Sequence, residues 1–198
     1  MNLPPRLSSY IDGIEAAYER PATYVRQKTR AGTERIIADV TGIGAEVLRG
    51  LVKRLRAPFL LLYVLHTSRG EGEAGRYQSS ALSGDEVDQF IARFAEYFLA
   101  DSRFDLWLHS REPNATVVWD RHDKLFAYGP LDDFETALNA LGFSPGEPEI
   151  SLSIAHLHHY RSECDEDASA VLAALDWQYS PLKPEDEQRP DENQPKAE

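Results

Sequence analysis

Residues 58–66 read PFLLLYVLH, a near-continuous apolar run of strand length that opens on a proline and closes on a histidine. A membrane-crossing helix needs about 20 apolar residues, so this run, the longest in the chain, predicts no membrane span. An unbroken apolar run, in place of an alternating one, is the pattern of a strand covered on both faces, as a central parallel strand would be.

The chain downstream alternates helix and strand. Ser83 and Glu86 are spaced as a capping box ahead of Val87, Phe90, Ile91, Phe94 and Phe98, which recur at helical intervals. Residues 104–109, FDLWLH, alternate as a strand does, with Phe104, Leu106 and Leu108 on one face and Trp107 on the other beside Asp105 and His109. Strand, helix, strand suggests a crossover unit with parallel strands. Next come a hairpin, residues 116–119 and 124–128 around the turn Asp120–Asp123, and a helix from Leu131 to Gly142. A last strand is expected over residues 149–157, and a final helix over 165–178.

Upstream, Tyr10, Ile11, Ile14, Ala17 and Tyr18 recur at helical spacing after the potential caps Ser8 and Ser9. A second helix is expected over residues 33–55, ending in Arg49, Lys53 and Arg54, where the macrodipole favours cations. The expected fold is therefore α/β (or α+β), a mixed, mostly parallel five-stranded sheet flanked by helices, with two N-terminal helices. Residues 1–56 form a helical segment packed on the core, 57–179 the α/β core, and 180–198, rich in proline and charge, a disordered acidic tail.

Composition narrows the function classes. The 198 residues carry a net charge of −12. Residues 1–56 hold 10 Lys/Arg against 6 Asp/Glu, whereas residues 57–198 hold 11 against 27. Such a body repels nucleic acid and anionic membranes, and it would steer a basic protein at long range. The one cysteine, Cys164, has no partner for an internal disulfide, and a reducing, cytoplasmic setting fits.

The histidines give the sharpest local signal. On a parallel sheet His66, His109, His156, His158 and His159 all fall at one strand edge, and His122 at the other; ligands bind beyond such carboxyl edges. His66, His109 and His156 are the catalytic candidates, with Arg76, Tyr77, Trp107, His158 and His159 as binding residues. His156 and His158, two apart on a strand, point to one face and could share a metal, although strand-end histidines also serve to hydrogen-bond loop carbonyls.

No catalytic motif is complete. Gly70, Gly72 and Gly75 spell the dinucleotide pattern, but no helix follows until Ser83, and Glu71 and Glu73 would repel phosphate. Asp120, His122 and Asp123 have the composition of an acid/base group and equally of a polar turn. No cofactor is called for. The favoured reading is an acidic protein-interaction or inhibitor domain without catalytic machinery, binding a basic partner in the manner of toxin-neutralising immunity proteins. The alternative is a histidine-dependent hydrolase, with or without a divalent metal, at the strand edge.

Overall fold

The computed structural model describes residues 3–29, 31–147 and 156–186. In chain order these form β1 (Leu7–Ile11), β2 (Ile14–Ala17), β3 (Thr23–Lys28), β4 (Glu34–Asp39), α1 (Gly44–Val52), β5 (Phe59–Leu65) and β6 (Gly75–Ser79). There follow α2 (Gly84–Arg93), α3 (Ala95–Ala100), β7 (Phe104–Ser110), β8 (Ala115–Trp119), β9 (Lys124–Tyr128), α4 (Leu131–Ala140), β10 (Ser144–Pro145), β11 (His156–His158), α5 (Asp165–Ala174) and β12 (Trp177–Ser180). A nine-stranded sheet runs β10-β3-β4-β9-β8-β7-β5-β6-β12, and a three-stranded sheet runs β11-β1-β2. The fold is mixed α+β.

This corrects the expected mostly parallel five-stranded sheet. Only the pair β10–β3 is parallel; the other seven contacts in the large sheet are antiparallel. The cause is β6, which occupies part of what reads as a long glycine-rich loop. It turns back beside β5, so the crossover through α2 and α3 joins β6 to β7 on either side of β5, and β5 meets both antiparallel.

The two expected N-terminal helices are corrected as well. Residues 7–17 are a hairpin, turned by Asp12 and Gly13 at φ 50° and 81°. Positive φ at both positions is the turn that matches strand twist, and Asp-Gly is its preferred sequence. Within residues 33–55, the first part is β4 and only Gly44–Val52 is helical, with Gly42 at φ 75° between them.

The alternation along β5, β7, β8 and β9 then sets two faces. Leu61, Tyr63, Leu106, Leu108, Val117, Trp119, Leu125 and Ala127 are buried with the apolar stripes of α1, α2, α3 and α4, including Val47, Leu48, Phe90, Phe98 and Phe134. The expected capping box of α2 is present, with Ser83 and Glu86 bonding each other's backbone N–H. The opposite face carries Arg35, Asp105, Trp107, Thr116, Val118, Phe126 and Tyr128 and is lined by a cavity.

The expected tail begins as structure. Ser180 pairs with Arg76 at the end of β12, and Asp186, 4 % exposed, holds the Arg76 guanidinium and accepts the Lys183 backbone N–H at 2.7 Å. Residues 187–198 and most of the strand expected over 149–157 lie outside the described residues. No helix among the described residues is long and apolar enough to cross a membrane.

Candidate functional site

The hairpin β8–β9 presents His122. Asp120 shapes its turn: one carboxylate oxygen accepts the backbone N–H of both His122 and Lys124 at 2.9 Å. The other stands 3.5 Å from His122 Nδ1. Burial pushes the Asp120 carboxyl up, but His122, the Lys124 N–H and Arg6 outweigh it, so the group stays below its usual range and ionised. An ionised carboxylate behind one ring nitrogen favours the tautomer that leaves the other as a lone-pair donor.

The small sheet presents the other two imidazoles. β11 pairs with β1, His158 opposite the buried Leu7 and His156 opposite Ser9. Being two residues apart, His156 and His158 project to the same face. There they meet His122, with ring centroids 5.4 Å (His122–His156), 4.8 Å (His122–His158) and 5.1 Å (His156–His158) apart, each pair edge to face. Tyr18 stands beside His156 and Tyr160 stacks parallel to His158.

One ligand atom from each histidine lies within 4.8 Å of the other two. Zinc–nitrogen bonds of 2.0–2.1 Å in tetrahedral geometry put ligand nitrogens about 3.3 Å apart, so closure asks for side-chain shifts of roughly 1 Å. His158 Nδ1 is buried without a hydrogen-bond partner. Burial, then the neighbouring His122 and His156 and the cations Arg121 and Arg6, push the His158 pKa down to about 3. A neutral imidazole with an unused buried nitrogen is the form that ligates a metal ion.

Arg6 joins the two halves of this site. Its backbone carbonyl accepts the His159 N–H at 3.0 Å and the Ser102 hydroxyl at 2.6 Å, which fixes the end of β11. Its fully buried guanidinium reaches the other way, Nε lying 2.7 Å from Asp123 Oδ1, and it donates to the carbonyl oxygens of Asp120 and Phe98. It also stacks over Trp119 and Phe104, 4.6 and 5.5 Å from the ring centroids. Burial raises the Asp123 carboxyl, while Arg6 and the Trp119 indole N–H pull against that.

The structure separates the residues that a parallel sheet would have gathered. Because β5 and β7 are antiparallel, with Leu60 opposite His109 and Leu65 opposite Phe104, His66 and His109 stand at opposite ends of the sheet. His66 Nε2 lies 2.9 Å from Asp105 Oδ2, off the line of a hydrogen bond, and both side chains are buried. His109 Nδ1 bonds Thr116 Oγ1 at 3.0 Å. His159 Nε2 bonds Ser8 Oγ at 3.0 Å and faces Glu15.

Arg76 and Trp107 are on the sheet's open face, the guanidinium 5.6 Å from the ring centroid, while Tyr77 faces the helices and donates to the Glu73 carbonyl at 2.7 Å. His156 and His158 do share a face. Their third partner, His122, is the histidine that parallel topology assigns to the opposite edge. The signal for it lay in Asp12-Gly13, which makes the N-terminal segment a strand pair able to carry β11 past the β8–β9 turn. Nothing in the sequence marks Arg6 as buried. The chain matches no protein-family model, no curated protein and no solved structure.

Proposed function

We propose that the protein binds one divalent transition-metal ion through His122, His156 and His158 and uses it in hydrolysis. The observation that carries this reading is the convergence of three imidazoles from two sheets on one point, with ligand atoms within 4.8 Å of each other. Three imidazole nitrogen donors suit zinc and its neighbours and not calcium or magnesium, which take oxygen ligands. A three-histidine set leaves a coordination position for water, whose pKa such an ion lowers to about 7.

Asp120 supports the reading as the carboxylate behind a ligating histidine, an arrangement that orients the ring and raises its basicity. Arg6 and Arg121 oppose a dication, and the buried Asp120, Asp123 and Asp105 offset them. The test is elemental analysis of the full chain after dialysis against zinc. One equivalent of zinc in the wild type and none in the His122→Ala, His156→Ala, His158→Ala triple variant, with unchanged far-UV circular dichroism, supports it. Equal zinc in both proteins, or none in either, refutes it.

A further inference from the structure

Cations inside this fold have acceptors. Arg6, Arg49, Arg76, Arg103 and Lys124, buried or half-buried, each hold a carboxylate, and Arg161 holds two backbone carbonyls. Arg121 differs. It sits half-buried in the β8–β9 turn next to His122, and its backbone N–H donates to Asp105 Oδ1 at 2.8 Å. Its side chain makes no ion pair or hydrogen bond among the described residues. The inner Nε is shut off from solvent, whereas the two terminal nitrogens are not and stand open to a ligand.

That guanidinium belongs to the histidine centre. Arg121 precedes one of the three histidines in a single tight turn, and its charge is among those that keep His158 neutral. On the other flank Arg20 lies over the Tyr18 ring, 4.4 Å from its centroid, and Tyr18 stands beside His156. His156 and His158 are only half-buried, and Tyr160, stacked on His158, is 37 % exposed, so the approach from the β11 side is open to solvent. Asp120 and Asp123 are engaged elsewhere, with the turn N–H groups and with Arg6. A metal ion and a guanidinium side by side repel, and a ligand that carries negative charge on several oxygens binds both.

We infer that the substrate of this centre is a phosphate monoester, whose phosphoryl oxygens bridge the histidine-bound ion and the terminal nitrogens of Arg121. The inference rests on the metal reading above and narrows it. A carboxylic ester or amide presents a neutral carbonyl, a weak partner for a guanidinium. A phosphoryl group carries its charge on the group being cleaved, and a planar guanidinium matches two of its oxygens at once. Hydrolysis adds a water oxygen to phosphorus and breaks the ester P–O bond; one water proton leaves with the alcohol, and the other stays on the hydrogen phosphate. Arg121 stabilises the charge on the phosphoryl oxygens through that step.

Calorimetric titration of inorganic phosphate into the zinc-loaded full chain tests it, with zinc content measured in the same samples and acetate as a second probe. The variants are Arg121→Gln and Arg121→Lys; neither breaks an ion pair among the described residues, and the backbone bond to Asp105 remains. Wild type should bind phosphate saturably. Arg121→Gln should keep one zinc per chain, bind it more tightly because a neighbouring cation is gone, and lose about 10–100-fold in phosphate affinity. Arg121→Lys should fall between, since it keeps the charge without the fork. Equal phosphate binding by zinc-loaded wild type and Arg121→Gln, no phosphate binding by either, or acetate bound as tightly as phosphate overturns the inference and leaves the zinc result standing. Absence of zinc from the wild type is a different failure: it refutes the metal centre, and the inference falls with it.

Discussion

Replacing Arg6 by methionine tests the junction on which the histidine centre depends. Methionine keeps an unbranched stem against Trp119 and Phe104 but removes the guanidinium. Its side chain is fully buried and that of Asp123 is 2 % exposed, so water cannot take over the lost interactions. Removing one partner of a buried pair leaves an uncompensated charge and costs about 3–5 kcal/mol.

For a chain of this size each kcal/mol lowers Tm by about 2–4 °C. The expected fall for Arg6→Met is therefore about 6–20 °C. Adding Asp123→Asn should restore much of that loss, because it removes the stranded charge while an amide oxygen can still accept the Trp119 indole N–H, now at 3.0 Å. Asparagine also tolerates the φ of 57° at this position. Urea unfolding of the wild type, both single variants and the double variant gives the coupling energy. A cost below about 1 kcal/mol for Arg6→Met, or a double variant no better than the single, would show that this pair does not hold the hairpin to the small sheet.

Two further expectations concern stability. At Gly129, φ is 136° and an added Cβ would stand 2.6 Å from Ala115 Cβ, so Gly129→Ala should cost about 1–3 kcal/mol; at Gly142, φ 88° with open space around it, Gly142→Asn should cost less than about 1 kcal/mol in the same unfolding assay. Burial raises the Glu71 carboxyl, but its own backbone N–H, that of Arg69 and the Arg103 guanidinium more than offset this and set it below its ordinary 4.5. A depressed folded-state pKa contributes stability above pH 4.5 that is lost as pH falls toward the folded value. The advantage of wild type over Glu71→Gln in unfolding free energy should thus shrink as pH falls below 4.5, and an advantage independent of pH would contradict the ion pair.

What could be read from the sequence was local. The capping box Ser83/Glu86, the hairpin around Asp120–Asp123 and the helix ending at Gly142 all rest on short-range backbone chemistry, and all are present. Strand direction was not readable from the apolar run of β5, because a strand flanked by antiparallel neighbours under a helical layer is as apolar as a parallel one. The strand β6, RYQS after Gly75, carries a polar outer face and a glycine-rich approach, so its residues resemble a loop. Near the N-terminus, Tyr10, Ile11 and Ile14 satisfy a helical period by coincidence of the two-residue turn between them, and Asp12-Gly13 was the contrary signal. The site shares the fate of the topology. His156 and His158 were legible as a pair from their spacing, whereas His122 joins them only through contacts between distant segments, made by Leu7 and Arg6.

Calorimetric titration with zinc, on the wild type and on His158→Ala, bears most directly on the proposed centre. A single site per chain in the wild type, weakened in the variant by more than the roughly 10–100-fold typical of losing an outer-shell partner, is the expected result. Zinc heats that are the same for both proteins, or absent from the wild type, would contradict a metal centre at His122, His156 and His158.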